Sequence, residues 1–527
     1  MKEEMMMMIM MLLMILLIIV LVFIVKMLWL KPKKIEGYFR KQGIKGPSYC
    51  FFTGNAKEIM SLMMKASSTT MPIPYSHNIL PRVLSFYHHW NKIYGPTFLV
   101  WFGPTARLTL ADPDLIRDVF CLKPELYEKS EAHPLIKQLE GDGLLNLKGE
   151  KWAYHRKIIT PTFHMDNLKL LVPVVTRNVT KMLDKWLGMS DFGEVEIEVS
   201  QWYQNLTEDI MTRTTFGNDY TDGKRIFQLQ ARQMVLTSEA FKEIPIPGYR
   251  FLPTKRNLES WKLQREIKKI LMRVIERRKR WDDVDITNGP KDLLGLMIEA
   301  SRKESSPMIT SHDIGEECKS FFFAGEHTTS NLLTWTTILL AMNPQWQVIA
   351  RDEVLNVLGP HDIPTKDCAS KLKKLTMILN ESLRLYPPIV AMIRRAKADV
   401  ELGGYKIPCG TELLIPILAI HHDQSVWGSD ANEFNPSRFS NGVARAAKHP
   451  MAFFPFGLGV RTCIGQNLAI LQVKLTIALM LQRFSFELSP KYQHAPTVLM
   501  LLHPQYGAPI IFKHFRSDSS TKDTLGS

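Results

Sequence analysis

One cysteine near the C-terminus stands in a setting that could activate a sulfur atom. Cys463 belongs to the segment Phe456-Gly-Leu-Gly-Val-Arg-Thr-Cys-Ile-Gly465, in which Gly457 and Gly459 permit a tight loop. The amides of such a loop can point at the sulfur, and amide donors favour the thiolate, which is the metal-binding form of cysteine. Arg461 offers a guanidinium fork for a carboxylate two residues before the cysteine.

Other kinds of site are excluded for this segment and for the remaining cysteines. The glycines do not form a dinucleotide-binding fingerprint, because G-x-G-x-x-G fails at Thr462 and no strand-turn-helix unit surrounds it. The six cysteines form no C-x-x-C pair, so neither a disulfide framework nor a structural zinc site is indicated. The five other cysteines are expected to be small buried apolar residues.

Two more polar pairs have the spacing of one helix turn. Glu381-Ser-Leu-Arg384 and Trp152-Ala-Tyr-His-Arg156 place their outer residues on a common helix face. Each pair could simply lie on the polar edge of a surface helix. A buried Glu–Arg pair would need additional hydrogen-bond partners.

The segment Phe321-Phe-Phe-Ala-Gly-Glu-His-Thr-Thr-Ser-Asn-Leu-Leu-Thr-Trp335 combines a core pattern with small and polar residues at its middle. A helix is predicted over Met308 to Met342, with Thr310 and Asp313 at capping-box spacing before it and Asn343-Pro344 ending it. At about 1.5 Å per residue such a helix is roughly 50 Å long and could cross a whole domain.

Helical periodicity dominates the rest of the chain. Further helices are predicted over Met165 to Trp186, Leu258 to Trp281, Pro344 to Val357 and Cys463 to Gln482. Two strands are predicted around Gly103-Pro104 (Phe98 to Phe102 and Arg107 to Ala111), and a strand pair over Val400 to Ile417 with turns at Gly403-Gly404 and Pro408 to Gly410. The fold class is therefore mainly α with a small β portion.

The N-terminal segment is predicted to span a membrane. Met5 to Val25 holds no charged or polar residue, and its 21 residues could cross a hydrocarbon core of roughly 30 Å at about 1.5 Å per residue. A cleavable signal peptide would have a shorter apolar region that ends in small residues. Lysines cluster after the span, which keeps the downstream body cytoplasmic. The net charge of +14 could serve an acidic partner or an anionic membrane surface, or could simply be solvated.

The cysteine segment resembles the F-G-x-G-x-R-x-C-x-G signature of the haem-thiolate monooxygenases, the cytochrome P-450 superfamily. The resemblance covers residues 35 to 515. It implies the cytochrome P-450 fold, a bound haem b, and Cys463 as the axial thiolate of the iron, with Phe456 beside the cofactor. It also implies that Glu381, Arg384 and Arg438 form a structural triad.

The same resemblance assigns cations to the haem propionates. Trp152 and Arg156 match the W-x-x-x-R helix of the family and are expected to bind a propionate, as is Arg461. Arg394, or its neighbour Arg395, is a further candidate. A buried pair of propionates requires such cations.

The long helix resembles the distal motif A/G-G-x-D/E-T-T/S of the family. Small residues at 324 and 325 are expected to leave room for dioxygen, and Thr328 is expected to help deliver protons for O–O cleavage. Threonine hydroxyls bonding back to helix carbonyls are an alternative that can hold at the same time. His327 stands where the motif has a carboxylate, so it is either a proton relay or a neutral hydrogen-bonding spacer. Glu326 could partly take over the role of the acid.

Several stretches resemble the plant hydroxylases that inactivate brassinosteroids at the side-chain carbon C-26. They are Lys151 to Val175, Pro245 to Asn257, Thr328 to Leu340 and Tyr492 to Phe512. The resemblance implies a steroid such as castasterone or brassinolide as substrate and makes His327 a trait of the branch. The alternatives are a related enzyme acting on gibberellin, cytokinin or another terpenoid or lipid, and a haem-thiolate isomerase or binding protein. The retained Thr328 argues against the isomerase and against the binding protein.

The resemblance further implies dioxygen as co-substrate and NADPH-cytochrome reductase as electron donor. The protein is expected in the endoplasmic reticulum membrane, as a single-pass protein with a cytosolic catalytic domain and no nucleic-acid partner. The predicted organisation is a membrane anchor (1–30), a basic Pro/Gly linker (31–47), the catalytic domain (48–515) and a disordered tail (516–527).

Overall fold

The computed structural model describes residues 2–72, 75–131, 134–240, 252–281, 292–302, 309–360, 362–365 and 367–515. The chain forms two compact units, each with its own helices and sheets. The first comprises Met1–Thr69, Ile79–Ser130 and Ala391–Ile420; the second comprises Thr70–Asn78, Glu131–Val390 and His421–Ser527. The predicted disordered tail, 516–527, lies outside the described residues.

The first unit begins with a helical run that has an apolar N-terminal part. Helix α1 (Lys2–Val25) is followed by a π-helical turn (Lys26–Leu30) and by α2 (Lys31–Arg40). By length and composition the run Glu3–Arg40 can cross a membrane, and among the described helices it alone can do so. This agrees with the predicted anchor.

The predicted basic Pro/Gly linker over residues 31–47 is helical in its first part, where it forms α2. Pro32 is the second residue of α2 and directly follows the π-helical turn, and the Leu28 carbonyl four residues before it accepts from the Tyr49 hydroxyl. Phe39, near the end of α2, is fully buried. The division of the chain into domains at these residues stays a prediction.

A five-stranded sheet organises the first unit. Its strand order is β1-β2-β8-β5-β3, in which β2 and β8 are parallel and the other neighbours antiparallel. The strands are β1 (Leu99–Phe102), β2 (Thr105–Thr109), β3 (Tyr127–Lys129), β5 (Met392–Ala396) and β8 (Glu412–Ile415). The helices of this unit are α3 (Ala56–Ser67), α4 (Leu80–Val83), α5 (Ser85–Tyr94), α6 (Pro113–Arg117) and, at its C-terminal limit, α19 (Ile417–His421).

The predicted strands of the first unit are confirmed with one change of partner. Strands β1 and β2 pair across the predicted turn at Gly103. Strands β6 (Val400–Leu402) and β7 (Tyr405–Ile407) form a separate hairpin through Gly403-Gly404. The last part of the predicted pair instead becomes β8 and joins the five-stranded sheet, because backbone pairing between distant segments is not encoded in local pattern.

Helices make up most of the second unit, which confirms the mainly α class. They are α7 (Pro134–Glu140), α8 (Gly149–Ile159), α9 (Met165–Lys169), α10 (Val172–Gly188), α11 (Val199–Phe216), α12 (Tyr220–Ala240), α13 (Lys255–Trp281), α14 (Leu293–Arg302), α15 (Ser311–Met342), α16 (Pro344–Leu358), α17 (Cys368–Lys371), α18 (Lys373–Leu385), α20 (Gln424–Trp427) and α21 (Gln466–Arg483). The strands β4 (Glu194–Glu198), β9 (Phe484–Leu488) and β12 (Pro509–His514) form one sheet, and β10 (Pro496–Leu499) and β11 (Leu501–Pro504) another.

The helix predicted over Met165 to Trp186 is interrupted after Lys169. A new helix, α10, starts at Val172, because Pro173 is tolerated only in the first turn of a helix. The helix predicted from Cys463 begins at Gln466, which leaves the cysteine in the preceding loop.

The long helix α15 has the predicted caps. Thr310 and Asp313 form a capping box, in which the Asp313 amide donates to Thr310 Oγ1 at 3.2 Å and the Thr310 amide to Asp313 Oδ2 at 2.9 Å. Residues 314–322, 329–330 and 332–340 are buried, whereas residues 323–328 and Asn331 keep accessible surface. The helix thus runs through the core, with partly exposed residues at its middle.

Candidate active site

A tight loop carries Cys463 to the start of α21. Gly457 and Gly459 have φ values of 76° and 66°, which side chains rarely permit. The Cys463 amide donates to the Phe456 carbonyl at 2.8 Å, and the Thr462 hydroxyl donates to the Gly459 carbonyl at 2.7 Å. The loop is therefore closed by its own backbone immediately before the cysteine.

The sulfur of Cys463 meets opposing electrostatic effects. Burial raises the pKa of the thiol, whereas hydrogen bonds from the Gly465 and Gln466 amides and the positive charge of Arg156 act to lower it. The side chain nevertheless keeps an exposed surface. The amide hydrogen bonds favour the thiolate, whereas burial disfavours it. The thiol therefore ionises readily once the positive charge of a metal ion binds the sulfur.

Two guanidinium groups lie near this sulfur without carboxylate partners. Desolvation lowers the pKa of Arg156 and of Arg461, and the charge of Arg156 lowers that of Arg461 further. Arg461 lies over the Trp152 ring at 4.3 Å and donates to the Leu147 carbonyl at 2.9 Å. Within the described residues, no Asp or Glu forms an ion pair with either arginine.

This donor set fits a haem group. The thiol provides a sulfur ligand for iron, and two partly desolvated cations without anionic partners match two propionates. The Trp152 ring and Arg461 stack on each other, so the predicted propionate residues Trp152, Arg156 and Arg461 are brought together around Cys463.

The predicted triad is confirmed and is fully satisfied. Arg384 donates two hydrogen bonds of 2.7 Å to the Glu381 carboxylate, and both side chains are completely buried. Arg384 also donates to the carbonyls of His421 and Ala431, at 2.8 and 2.6 Å. Arg438 lies 3.4 Å from Glu381, so each ion of the triad has its partners.

Gly325 lies where α11 packs against α15. A Cβ atom at residue 325 would lie 2.6 Å from the Met211 methyl group, the end of a flexible side chain that would have to move aside. The prediction had assigned this small residue to dioxygen. Helix packing is therefore a second reason for a small residue here, and the predicted room for dioxygen beside residues 324 and 325 stays a prediction.

The Thr328 hydroxyl bonds back to its own helix. It donates to the Ala324 carbonyl at 2.6 Å, as the alternative interpretation of the threonines predicted. Thr334 and Thr337 make the same kind of bond to the carbonyls four residues earlier. The oxygen-handling role of Thr328 stays a prediction.

Burial moves the two titratable groups of the motif in opposite directions. It lowers the pKa of His327 to about 4 and raises that of Glu326 to about 8. The His327 ring is therefore neutral at physiological pH, while the Glu326 carboxyl holds a proton. The His327 Nδ1 and Glu326 Oε1 atoms are 3.8 Å apart.

The sequence did not point to Glu208, on α11. Burial raises its pKa to about 7, with a further contribution from Glu326, while Lys224 opposes the rise and Asp209 adds to it. A single glutamate on a predicted helix carries no local signal, so only the packing of α11 on α15 identifies it.

Arg394 belongs to the first unit. It lies on β5, where its guanidinium donates to the Ile393 carbonyl at 3.0 Å and lies 4.5 Å from the Phe120 ring centre. Its predicted role toward a propionate stays a prediction, as does that of Arg395.

Comparison with known proteins agrees with this site. The sequence pattern of the family described as Cytochrome P450 matches residues 73–511. Cytochrome P450 734A1 of Arabidopsis thaliana is 68% identical over 496 residues, which cover 93% of this chain and 94% of that protein. Cytochromes P450 734A6 and 734A4 of Oryza sativa are 58% and 54% identical, and the matches cover 96% and 94% of this chain and 96% of each relative. The chain therefore belongs to the cytochrome P450 family and is a haem-thiolate monooxygenase, as its cysteine signature predicted.

Proposed function

We propose that this monooxygenase hydroxylates the terminal side-chain carbon C-26 of brassinosteroids such as castasterone and brassinolide, and thereby inactivates them. The observation that carries the proposal is the high identity to cytochrome P450 734A1 along 93% of the chain. The four stretches that resemble the brassinosteroid-inactivating hydroxylases are thus part of a continuous similarity and not isolated matches.

Four side chains of the second unit are proposed to hold the haem. Cys463 ligates the iron, while Arg156, Arg461 and the Trp152 indole take the propionates. Phe456 completes the cysteine loop beside the cofactor, and Arg394 is a further propionate candidate. When bound, the haem activates dioxygen and supplies one oxygen atom for insertion into a C–H bond.

Glu326 is proposed to hold the catalytic proton in place of the usual acid. Its pKa of about 8 keeps the carboxyl protonated at neutral pH, and Glu208 with a pKa of about 7 can exchange a proton with it. The neutral His327 then acts as a hydrogen-bonding spacer. Thr328 lies on the same accessible stretch of α15 and passes the proton on through its hydroxyl.

The proposed partners and location are supported by the apolar N-terminal helix and by the family. NADPH-cytochrome reductase is the proposed electron donor, and the substrate is a small hydrophobic steroid. Helix α1 anchors the protein in the endoplasmic reticulum membrane, with the rest of the chain on the cytosolic side.

A direct assay tests the substrate. Membranes that contain the protein and the reductase are incubated with NADPH and either castasterone or a gibberellin, and the products are identified by mass spectrometry. We expect a C-26 hydroxylated castasterone and no oxidised gibberellin, with no product from the Cys463→Ala variant. Turnover of the gibberellin without any castasterone product would overturn the proposal.

A further inference from the structure

A buried hydrogen bond joins the long helix α15 to α8, the helix that carries Trp152 and Arg156. The His155 Nδ1 atom lies 2.6 Å from Glu317 Oε1, and both side chains are completely buried. His155 directly precedes Arg156 in the chain, so this contact acts one residue away from a proposed propionate ligand.

The second oxygen of Glu317 holds the segment that leads into α8. Its Oε2 atom accepts from the Leu144 amide at 2.9 Å. A Cβ atom at Gly143 would lie 2.7 Å from this oxygen and 2.5 Å from Ser320 Oγ, so the backbone is pressed directly against α15. The two oxygens of Glu317 thus hold α8 and the loop before it.

The same loop and helix carry the contacts of the proposed propionate residues. The Leu147 carbonyl accepts from Arg461 at 2.9 Å, and the Arg461 guanidinium lies over the Trp152 ring. Movement of this loop or of α8 would therefore shift Trp152, Arg156 and Arg461 together.

Mere attachment of two helices would not require this pair. Burying a polar pair costs desolvation free energy. Well-packed apolar side chains in the same place often stabilise the fold as well as such a pair, or better. In addition, the His155 Nε2 atom is buried without a hydrogen-bond partner in the described part of the chain. Hydrogen bonds are directional, so they fix the orientation of α8 on α15 more narrowly than apolar contacts would.

We infer that Glu317 and His155 are positioning residues that orient Arg156 and Trp152 toward the haem propionates and so set haem retention and reduction potential. The inference rests on the proposed role of Arg156 in holding the cofactor. A cation near the haem stabilises the reduced state, so a displaced Arg156 would make the reduction potential more negative.

The test measures haem transfer to excess apomyoglobin and the reduction potential in the full-length holoprotein. Glu317→Gln keeps the shape but leaves only one acceptor oxygen for two donors. We expect haem loss to become about 10-fold faster and the potential to fall, as for outer partners of metal ligands generally. His155→Leu should change the rate of haem loss and the reduction potential in the same direction. His155→Asn keeps a donor near the Nδ1 position, so both quantities should stay closer to those of the unmodified protein.

Glu316→Gln is the matched control. Glu316 lies on the same turn of α15 and accepts from the Asp142 amide at 2.8 Å, but its other oxygen binds Lys319 and not α8. A glutamine at residue 316 keeps an oxygen for the Asp142 amide and loses no contact with α8, so we expect a clearly smaller change in haem loss and reduction potential than in Glu317→Gln. If Glu317→Gln does not fold, the pair His155→Leu and His155→Asn decides the same question.

Two outcomes separate the inference from the proposal beneath it. If Arg156→Leu accelerates haem loss while Glu317→Gln and His155→Leu behave like Glu316→Gln, the positioning role is wrong and the haem site stands. If Arg156→Leu itself leaves haem loss and potential unchanged, the proposed haem site is wrong, and the positioning role fails with it.

Discussion

Two arginine clusters of the second unit differ in how their charge is satisfied. Arg384 and Arg438 meet the buried Glu381 carboxylate and several backbone carbonyls. Arg156 and Arg461 are partly removed from water, yet no carboxylate among the described residues pairs with either of them. The first cluster is complete within the protein, whereas the second is complete only with an anion from outside.

The difference separates scaffold from binding site. A buried charge that finds all its partners within the chain serves the fold, since loss of one partner leaves another charge uncompensated. Removing a cation from water without pairing it with an anion destabilises the protein, and a bound anionic ligand offsets that destabilisation. Because Cys463 lies with the second cluster, the same comparison points to the cofactor.

The largest expected effect comes from removing the sulfur of the second cluster. Cys463→Ala should fold but lose all detectable hydroxylation, and the reduced carbon monoxide complex should lack the red-shifted Soret band of thiolate-ligated haem. The control is Cys409→Ala, which removes an exposed thiol of the first unit. An unchanged Soret band in Cys463→Ala would exclude this cysteine as the ligand.

The complete cluster should respond as a structural element. Glu381→Leu should lower the free energy of unfolding by about 3–5 kcal/mol, because it leaves Arg384 buried without its counter-ion. Thermal unfolding in detergent, with and without haem, measures the effect, which should appear in both states. Glu487→Gln is the control, since the pair of Glu487 with Lys513 is exposed and should contribute little to the free energy of unfolding.

The incomplete cluster should respond in the opposite way. Arg156→Leu and Arg461→Leu remove cations that lack a carboxylate, so the haem-free protein should not lose stability. Haem affinity should fall by roughly 10- to 100-fold, which a haem titration measures. If these variants destabilise the haem-free protein as strongly as Glu381→Leu does, the distinction between a structural and a haem-binding arginine cluster is wrong.

The smallest expected effect concerns the proton at Glu326. Its raised pKa of about 8 keeps the carboxyl protonated below that pH, so coupling of NADPH use to product should fall as pH rises through about 8. Glu326→Gln should lower coupling by about one order of magnitude at neutral pH and remove the pH dependence. His327→Asn should change little, since the ring is already neutral above pH 6. A larger loss in His327→Asn than in Glu326→Gln would restore the histidine as the relay.

Local sequence signals predicted much of the positioning framework. The capping box at Thr310 and Asp313 was readable because a cap depends on residues three positions apart. The tight loop before the cysteine could be predicted from its glycines, because residues with side chains rarely adopt the positive φ values that such a loop requires. In contrast, the helical conformation of residues 31–40 was not predicted, since a proline in a helix and one in a turn look alike in sequence.

The haem-thiolate monooxygenase was predicted from the resemblance of the cysteine loop to a family signature, with the Glu–Arg pair in its expected place before it. The membrane anchor was predicted from the apolar N-terminus. Each of these signals lies within a few turns of chain. Tertiary packing alone decided that Gly325 accommodates Met211, that Glu208 lies beside Glu326, and that Glu317 reaches both His155 and Leu144. Burial sets which carboxyl keeps its proton, and burial depends on neighbours distant in the chain.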